Sequence, residues 1–143
     1  MREFIVVLDD DPSMLKGIGR ILTTNGFDTE LFSSVEDFHS RARLNEATCL
    51  VLDINLDGKS GIDLRRQLTR SGILIPVVYM TANDSDAIRK AAIDTGCVAY
   101  LTKPFPANSL MSAIKKAATD SNGMASEALV GIDVARPSET SRY

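Results

Sequence analysis

The chain alternates five times between a short apolar segment and a segment with helical spacing, and this alternation constrains its fold more than any other feature. The apolar segments are typical of strands buried on both faces, and they cover residues 4–8, 29–32, 48–52, 76–80 and 98–101. After each apolar segment, apolar side chains recur at helical spacing, which predicts five helices. The first begins after Asp11-Pro12, and the last covers residues 107–118. Parallel strands need crossover connections, and helices then cover both faces of the sheet. We therefore expect an α/β fold with a doubly wound, five-stranded parallel sheet.

Length and composition indicate one folded domain followed by a tail. The chain has 143 residues, and its 44% hydrophobic and 24% charged content is typical of a globular domain. From Asp120 onward Ser, Gly, Asn and Thr dominate, and so short a segment cannot build a second core. We expect one domain over residues 1–119 and a flexible polar tail over 120–143. The alternative is that the tail contains a short element that docks on the domain or on a partner.

Charge and hydropathy exclude several classes of function. A net charge of −3 argues against a nucleic-acid surface, which needs a basic face. The longest apolar stretches are far shorter than the ~20 residues that span a bilayer, and the N-terminus does not resemble a signal peptide. We therefore expect a cytoplasmic protein without direct nucleic-acid or membrane contact. Cys49 and Cys97 lack the spacing of a metal or redox motif and are predicted to be buried free thiols.

The residues that follow the four inner strands carry carboxylates, a hydroxyl and an amine. Ligands of open α/β sheets bind outside the carboxyl ends of the strands, where this chain has Asp9, Asp10 and Asp11, then Asp53, then Thr81 and Ala82, and finally Thr102, Lys103 and Pro104. Clustered carboxylates repel one another, and a divalent cation such as Mg²⁺ removes the conflict. A carboxylate beside the cation is a nucleophile toward phosphorus, while an ammonium group and a hydroxyl bind the phosphoryl oxygens. The pattern predicts phosphoryl transfer onto an aspartate.

Taken together, these segments resemble the receiver domain of bacterial two-component response regulators. The resemblance rests on four segments in order, V-V-L-D-D-D before a P-S helix start, L-V-L-D-I-N-L-D-G-K-S-G, V-V-Y-M-T-A, and A-Y-L-T-K-P-F, and covers residues 1 to about 119. The segment from Phe32 to Phe38 and the Thr-Lys-Pro-Phe ending are most similar to the FixJ-type subgroup. The family fold is the flavodoxin-like (βα)5 arrangement with strand order 2-1-3-4-5.

The resemblance implies a role for each matching residue. Asp53 is the expected phosphoacceptor. The expected Mg²⁺ ligands are Asp9, Asp10, Asp53 and the backbone carbonyl of Asn55. The expected phosphoryl-binding groups are Thr81, the backbone of Ala82, and Lys103. Thr81 and Tyr100 are the expected switch pair, with the Tyr100 ring turning inward as Thr81 moves on phosphorylation. The peptide bond between Lys103 and Pro104 is expected to be cis.

The resemblance also implies partners. A sensor histidine kinase or a phosphotransfer protein is expected to supply the phosphoryl group, and the domain also removes it from itself. Because the tail has no room for a helix-turn-helix module, we expect a stand-alone receiver whose output is protein contact through the fourth helix, the fifth strand and the last helix. The alternative is a phosphate shuttle or sink in a relay. The cognate partners, the phosphoryl lifetime and phosphorylation-dependent homodimerisation stay open.

One rival function and two departures from the family pattern accompany this interpretation. A haloacid-dehalogenase-type phosphatase also forms an aspartyl-phosphate with Mg²⁺, and Asp9 and Asp11 imitate its first motif. Its last acidic motif follows the lysine, whereas here Asp53 precedes Lys103, so we expect no enzyme beyond self-phosphorylation and self-dephosphorylation. Asp57 stands where the family usually has proline, which predicts a more mobile loop. Asn55 and Asn83 occupy the positions that bear on phosphoryl lifetime in the family.

Overall fold

The computed structural model describes residues 2–120 and 133–135. Its elements follow in chain order as β1 (Phe4–Leu8), α1 (Pro12–Thr24), β2 (Asp28–Phe32), α2 (Val35–Arg41), a 3-10 turn (Leu44–Glu46), β3 (Cys49–Asp53), β4 (Asn55–Leu56), β5 (Lys59–Ser60), α3 (Gly61–Arg70), β6 (Val77–Thr81), α4 (Asp86–Asp94), β7 (Ala99–Thr102), α5 (Ala107–Asp120) and β8 (Asp133–Ala135). The predicted helices and main strands are present, with ends displaced by one or two residues.

The main sheet is parallel and has the strand order β2-β1-β3-β6-β7-β8. Its first five strands reproduce the predicted 2-1-3-4-5 order, which confirms the doubly wound α/β fold. The order reverses at β1, which lies between β2 and β3. The carboxyl ends of β1 and β3 therefore flank the switch point, where ligands of such sheets bind.

The four inner strands β1, β3, β6 and β7 are buried on both faces, as their apolar composition predicts, whereas only Phe32 is buried in β2 at the sheet edge. One face packs on α1 and α5, and its core includes Ile5, Val7, Leu15, Ile18, Val51, Leu110 and Ile114. The other face packs on α2, α3 and α4, and its core includes Val6, Leu8, Phe38, Leu52, Leu64, Leu68 and Ala92. Since neighbouring residues of β1 enter opposite cores, a shift of one residue in its register would exchange the two sets. The strand ends are therefore held in fixed positions relative to one another.

The segment predicted as a polar loop after Asp53 contains a small antiparallel hairpin of β4 and β5. Its two turn residues, Asp57 and Gly58, have φ values of 36° and 82°. A two-residue hairpin turn of this kind requires positive φ at both positions, which Asp tolerates better than most residues. Proline, with φ fixed near −65°, does not fit such a turn. Asp57 is therefore compatible with this hairpin where the usual proline is not.

The tail differs in one part from the sequence expectation. Residues 133–135 form β8, which pairs in parallel with β7 in the register Ala99↔Asp133, Tyr100↔Val134 and Leu101↔Ala135. The alternative considered from the sequence, a short element that docks on the domain, therefore applies to these three residues. The predicted flexibility of the other tail residues, 121–132 and 136–143, lies outside the described residues. Among the helices of the described part, none has the length and apolar character needed to cross a membrane.

Candidate functional site

Three carboxylates meet at the carboxyl end of the sheet. Carboxylate oxygens of Asp9, Asp10 and Asp53 all lie within 4.8 Å of one another. The reason is the register of neighbouring strands, since Leu8 of β1 is paired with Leu52 of β3 and the acidic residues follow directly. Asp9 and Asp53 are buried, with 0% and 3% of their surface exposed, whereas Asp10 is exposed. The cluster therefore has two buried members and one member open to solvent.

Lys103, which follows β7, joins the two buried carboxylates. Its Nζ donates hydrogen bonds to Asp9 Oδ2 at 2.8 Å and to Asp53 Oδ2 at 3.1 Å. The other oxygen of each carboxylate accepts a backbone N–H, from Asp11 to Asp9 Oδ1 at 2.9 Å and from Asn55 to Asp53 Oδ1 at 3.0 Å. The peptide bond between Lys103 and Pro104 is cis, in agreement with the sequence expectation.

The electrostatics of the cluster follow from burial and proximity. Burial raises the pKa of Asp53 to about 6, and the Asp9 charge adds to the increase, while the Asn55 N–H and the Lys103 charge act in the opposite direction. Burial alone would lower the pKa of Lys103, but its hydrogen bond to Asp9 and the charges of Asp53 and Asp9 raise it overall. At neutral pH Asp53 is therefore ionised in most molecules, and its carboxylate lies beside the cationic Lys103.

The donor set fits a divalent cation that prefers oxygen ligands. Three carboxylates and one ammonium group leave a formal charge of −2 at the cluster. The available donors are carboxylate oxygens, and Mg²⁺ is usually held by one or two carboxylates together with water and phosphate oxygens. Asp9, Asp10 and Asp53 are the residues that would hold it. The backbone carbonyl of Asn55 as a further ligand stays a prediction.

Thr81 is the last residue of β6, and its hydroxyl is held on both sides. It donates to Asn55 Oδ1 at 3.0 Å and accepts the backbone N–H of Asn83 at 3.0 Å. Thr81 has no exposed surface. The Asn55 side chain therefore links the segment after Asp53 to the end of β6, a contact that no local sequence pattern indicates.

Tyr100 lies in β7 with no exposed surface, and its hydroxyl donates to Asp84 Oδ1 at 3.0 Å. The ring thus faces inward and ends at the segment between β6 and α4. The sequence argument named Tyr100 but not Asp84, which no motif distinguishes. A phosphoryl-binding role for the backbone of Ala82 likewise stays a prediction.

Two other aspartates that the sequence places near the site have different roles. Asp11 caps α1, and its side chain accepts the N–H groups of Ser13 and Met14. Asp57 lies in the hairpin turn and lines, with Asp10, a surface cavity beside the cluster. Neither belongs to the group of three carboxylates.

Gly61, the first residue of α3, was not recognised from the sequence as a site residue. Its N–H donates to the Ile54 carbonyl, and a Cβ on Gly61 would lie 2.3 Å from the carbonyl oxygen of Asp53. A glycine at the start of a helix that follows an aspartate-ended strand is the signal that could have indicated this contact. Gly61 allows α3 to approach the backbone that carries Asp53.

Comparison with known proteins agrees with the site geometry. The family model described as "Response regulator receiver domain" matches residues 5–115. The chain is 33% identical over 113 residues to "Response regulator protein TodT" of Pseudomonas putida, covering 79% of this chain and 50% of the relative. It thus spans about half the length of the curated relatives it matches.

Two solved structures illustrate the same likeness. The response regulator StyR matches with a TM-score of 0.78 and 33% identity, covering 85% of this chain and 62% of that one. A CheY-like receiver domain protein from Methanospirillum hungatei matches with a TM-score of 0.76, covering 85% of this chain and 98% of that one, and at 19% identity it supports the fold alone.

Proposed function

This chain belongs to the response regulator receiver domain family of two-component systems, and we propose that it accepts a phosphoryl group on Asp53 and thereby changes its binding to a protein partner. The phosphoryl group comes from a sensor histidine kinase or a phosphotransfer protein in the cytoplasm. The FixJ-type assignment and the stand-alone state stay predictions.

The single observation that carries this proposal is the position of Lys103 between Asp53 and Asp9. Its ammonium group contacts one oxygen of each buried carboxylate, at 3.1 and 2.8 Å. An ammonium group beside a nucleophilic carboxylate is placed to stabilise negative charge that develops on a transferring phosphoryl group. A purely structural ion pair would not need the exposed third carboxylate of Asp10.

The transfer forms one bond and breaks one. An oxygen of the Asp53 carboxylate attacks phosphorus, an O–P bond forms, and the bond from phosphorus to the donor nitrogen or oxygen breaks. The electron pair of the broken bond stays with the leaving group, which takes a proton from solvent where it needs one. Lys103 contacts the phosphoryl oxygens, and the Thr81 hydroxyl leaves Asn55 to donate to another of them. Bound Mg²⁺ would neutralise charge on the phosphoryl oxygens.

The output is protein contact through the face of α4, β7 and α5. β8 occupies the edge of β7 within this face. Contacts with a downstream protein or a second copy are therefore expected on α4 and α5. The net charge of −3 supports a protein rather than a nucleic acid as the direct partner.

The test is labelling with a radioactive small acyl phosphate in the presence of Mg²⁺. The matched control is Asp57→Asn, which removes a nearby carboxylate outside the cluster. It should be labelled to a stoichiometry similar to that of wild type. Asp53→Asn should take up no label, and Asp10→Asn should need more Mg²⁺. Chelation of Mg²⁺ should stop labelling in wild type, Asp57→Asn and Asp10→Asn.

Two outcomes would contradict the proposal. Label retained in Asp53→Asn would exclude Asp53 as the acceptor. Sustained hydrolysis of phosphate monoesters over many turnovers would favour the haloacid-dehalogenase-type reaction instead.

A further inference from the structure

Asp84 lies where the segment from the phosphoryl site meets the buried ring of Tyr100. It is three residues beyond Thr81, in the segment that joins β6 to α4. One oxygen, Oδ1, accepts the hydroxyl of Tyr100 at 3.0 Å, and the other, Oδ2, pairs with the guanidinium of Arg89 on α4. A single carboxylate thus connects β7 and α4.

Arg89 completes this contact from the helix side. Its guanidinium carbon lies 5.9 Å from the centroid of the Tyr100 ring, within the range of a cation–π interaction. The side chains of Arg89 and Asp84 are 14% and 26% exposed, so their ion pair is shielded from much of the solvent. Asp86 also pairs with Arg89, at 3.4 Å, but its side chain is fully exposed and no described contact joins it to Tyr100.

The segment that joins β6 to α4 is held at its β6 end by the Thr81 hydroxyl. The backbone N–H of Asn83 donates to the Thr81 hydroxyl, which in turn donates to Asn55. Asn83 and Asp84 are adjacent, so any displacement of the Thr81 hydroxyl acts on the residue next to the carboxylate that binds Tyr100. The path from Thr81 to Tyr100 therefore consists of two hydrogen bonds and one peptide unit.

We propose that Asp84 is a positioning residue that holds the Tyr100 ring inward and couples its position to Thr81. Arg89 orients the carboxylate, and Asp86 has no part in the coupling. The second half of this proposal rests on the proposed function, whereas the holding of Tyr100 does not.

The first test uses the full, unphosphorylated chain. Solvent accessibility of the tyrosine rings is measured by NMR with a soluble paramagnetic agent in wild type, Asp84→Ala and Asp86→Ala. Tyr79, which is buried and whose hydroxyl bonds to Thr95, is the internal reference. Asp84→Ala should raise the population of exposed Tyr100 roughly tenfold or more, as expected for loss of a hydrogen bond to a charged group. Asp86→Ala and the Tyr79 signals should match wild type.

A double-mutant cycle provides an independent measurement of the same contact. Asp84→Ala should change the unfolding equilibrium constant about tenfold less in a Tyr100→Phe background than in wild type, because the hydroxyl is already absent. Asp86→Ala should have the same effect in both backgrounds. If Asp84→Ala does not fold, Asp84→Asn, which keeps an acceptor oxygen but loses the ion pair, should expose Tyr100 in the same direction.

The second test adds acyl phosphate and Mg²⁺ and records both the label on Asp53 and the Tyr100 signal in one sample. Wild type should show a Tyr100 shift in proportion to the label, and Asp84→Ala should be labelled without that proportional shift. Absence of label in wild type would contradict the proposed function alone. A Tyr100 ring as buried in Asp84→Ala as in wild type, or additive effects in the cycle, would overturn the role of Asp84.

Discussion

Replacing Gly61 by alanine should separate the contribution of close backbone packing from that of the site side chains. An alanine Cβ at this position would lie 2.3 Å from the Asp53 carbonyl oxygen, 3.1 Å from its carbonyl carbon and 3.3 Å from Ile54 Cα. All three are backbone atoms, so no side-chain rotation relieves the overlap. To reach ordinary van der Waals contact, α3 and the end of β3 must move apart by roughly 1 Å.

The expected cost follows from that displacement. Overpacking of a well-packed interior typically costs about 1–3 kcal/mol, and the upper half of this range is expected here because backbone has to move. The same movement displaces the Asp53 carboxylate relative to Lys103 and Asp9, and a misplacement of about 1 Å in a catalytic group is associated with a rate loss on the order of 100-fold. Phosphoryl uptake should therefore fall more steeply than stability.

Gly17→Ala is the matched control. Gly17 lies on the exposed side of α1, and a Cβ there would meet nothing within 4 Å. Alanine should stabilise that helix by about 0.5–1 kcal/mol. Urea unfolding and the rate of labelling by acyl phosphate are measured for both variants. Equal stability of the two variants, or wild-type labelling by Gly61→Ala, would refute the argument that Gly61 is required by the backbone of Asp53.

Three further predictions concern the core, the thiols and the sheet edge. Phe38→Ala should lower the free energy of unfolding by about 3–5 kcal/mol, because Phe38 has no exposed surface, while Leu74→Ala, at a position 72% exposed, should change it by no more than about 0.5 kcal/mol in urea unfolding. Burial raises the pKa of Cys97 to about 11 from an ordinary 9.0 and that of Cys49 further. Both thiols should therefore resist a disulfide reagent at pH 8 until the chain unfolds. The stability that the protonated Cys97 thiol contributes should be complete below pH 9 and lost as the pH rises through 11. Cys97→Ala should lack this part of the pH dependence. Replacing both Val134 and Ala135 by proline removes at least one β8 N–H that faces β7. The β7 amide protons that face away from β6 should then exchange about tenfold faster than in a control with Val134→Ala and Ala135→Val. Unchanged exchange would mean that β8 does not protect this edge.

The sequence was sufficient for the fold and for the residues that meet at the site. Strands buried on both faces and helices at regular spacing are local patterns, and their alternation leaves the doubly wound parallel sheet as the natural solution. Because the carboxyl ends of parallel strands share one edge, Asp9, Asp10, Asp53 and Lys103 were expected together, and the structure places them together.

The tertiary structure decided how those residues are connected and what else contacts them. The hydrogen bonds from Thr81 to Asn55 and from Tyr100 to Asp84 join residues 26 and 16 positions apart, and the contact of Gly61 with the Asp53 backbone depends on how closely α3 packs on β3. The pairing of β8 with β7 is also a contact between distant segments. Hydrophobic periodicity and helix capping depend on residues that are close together in the chain, so they can be identified from the sequence. Distances of about 3 Å between side chains on different elements are set only when the two cores pack.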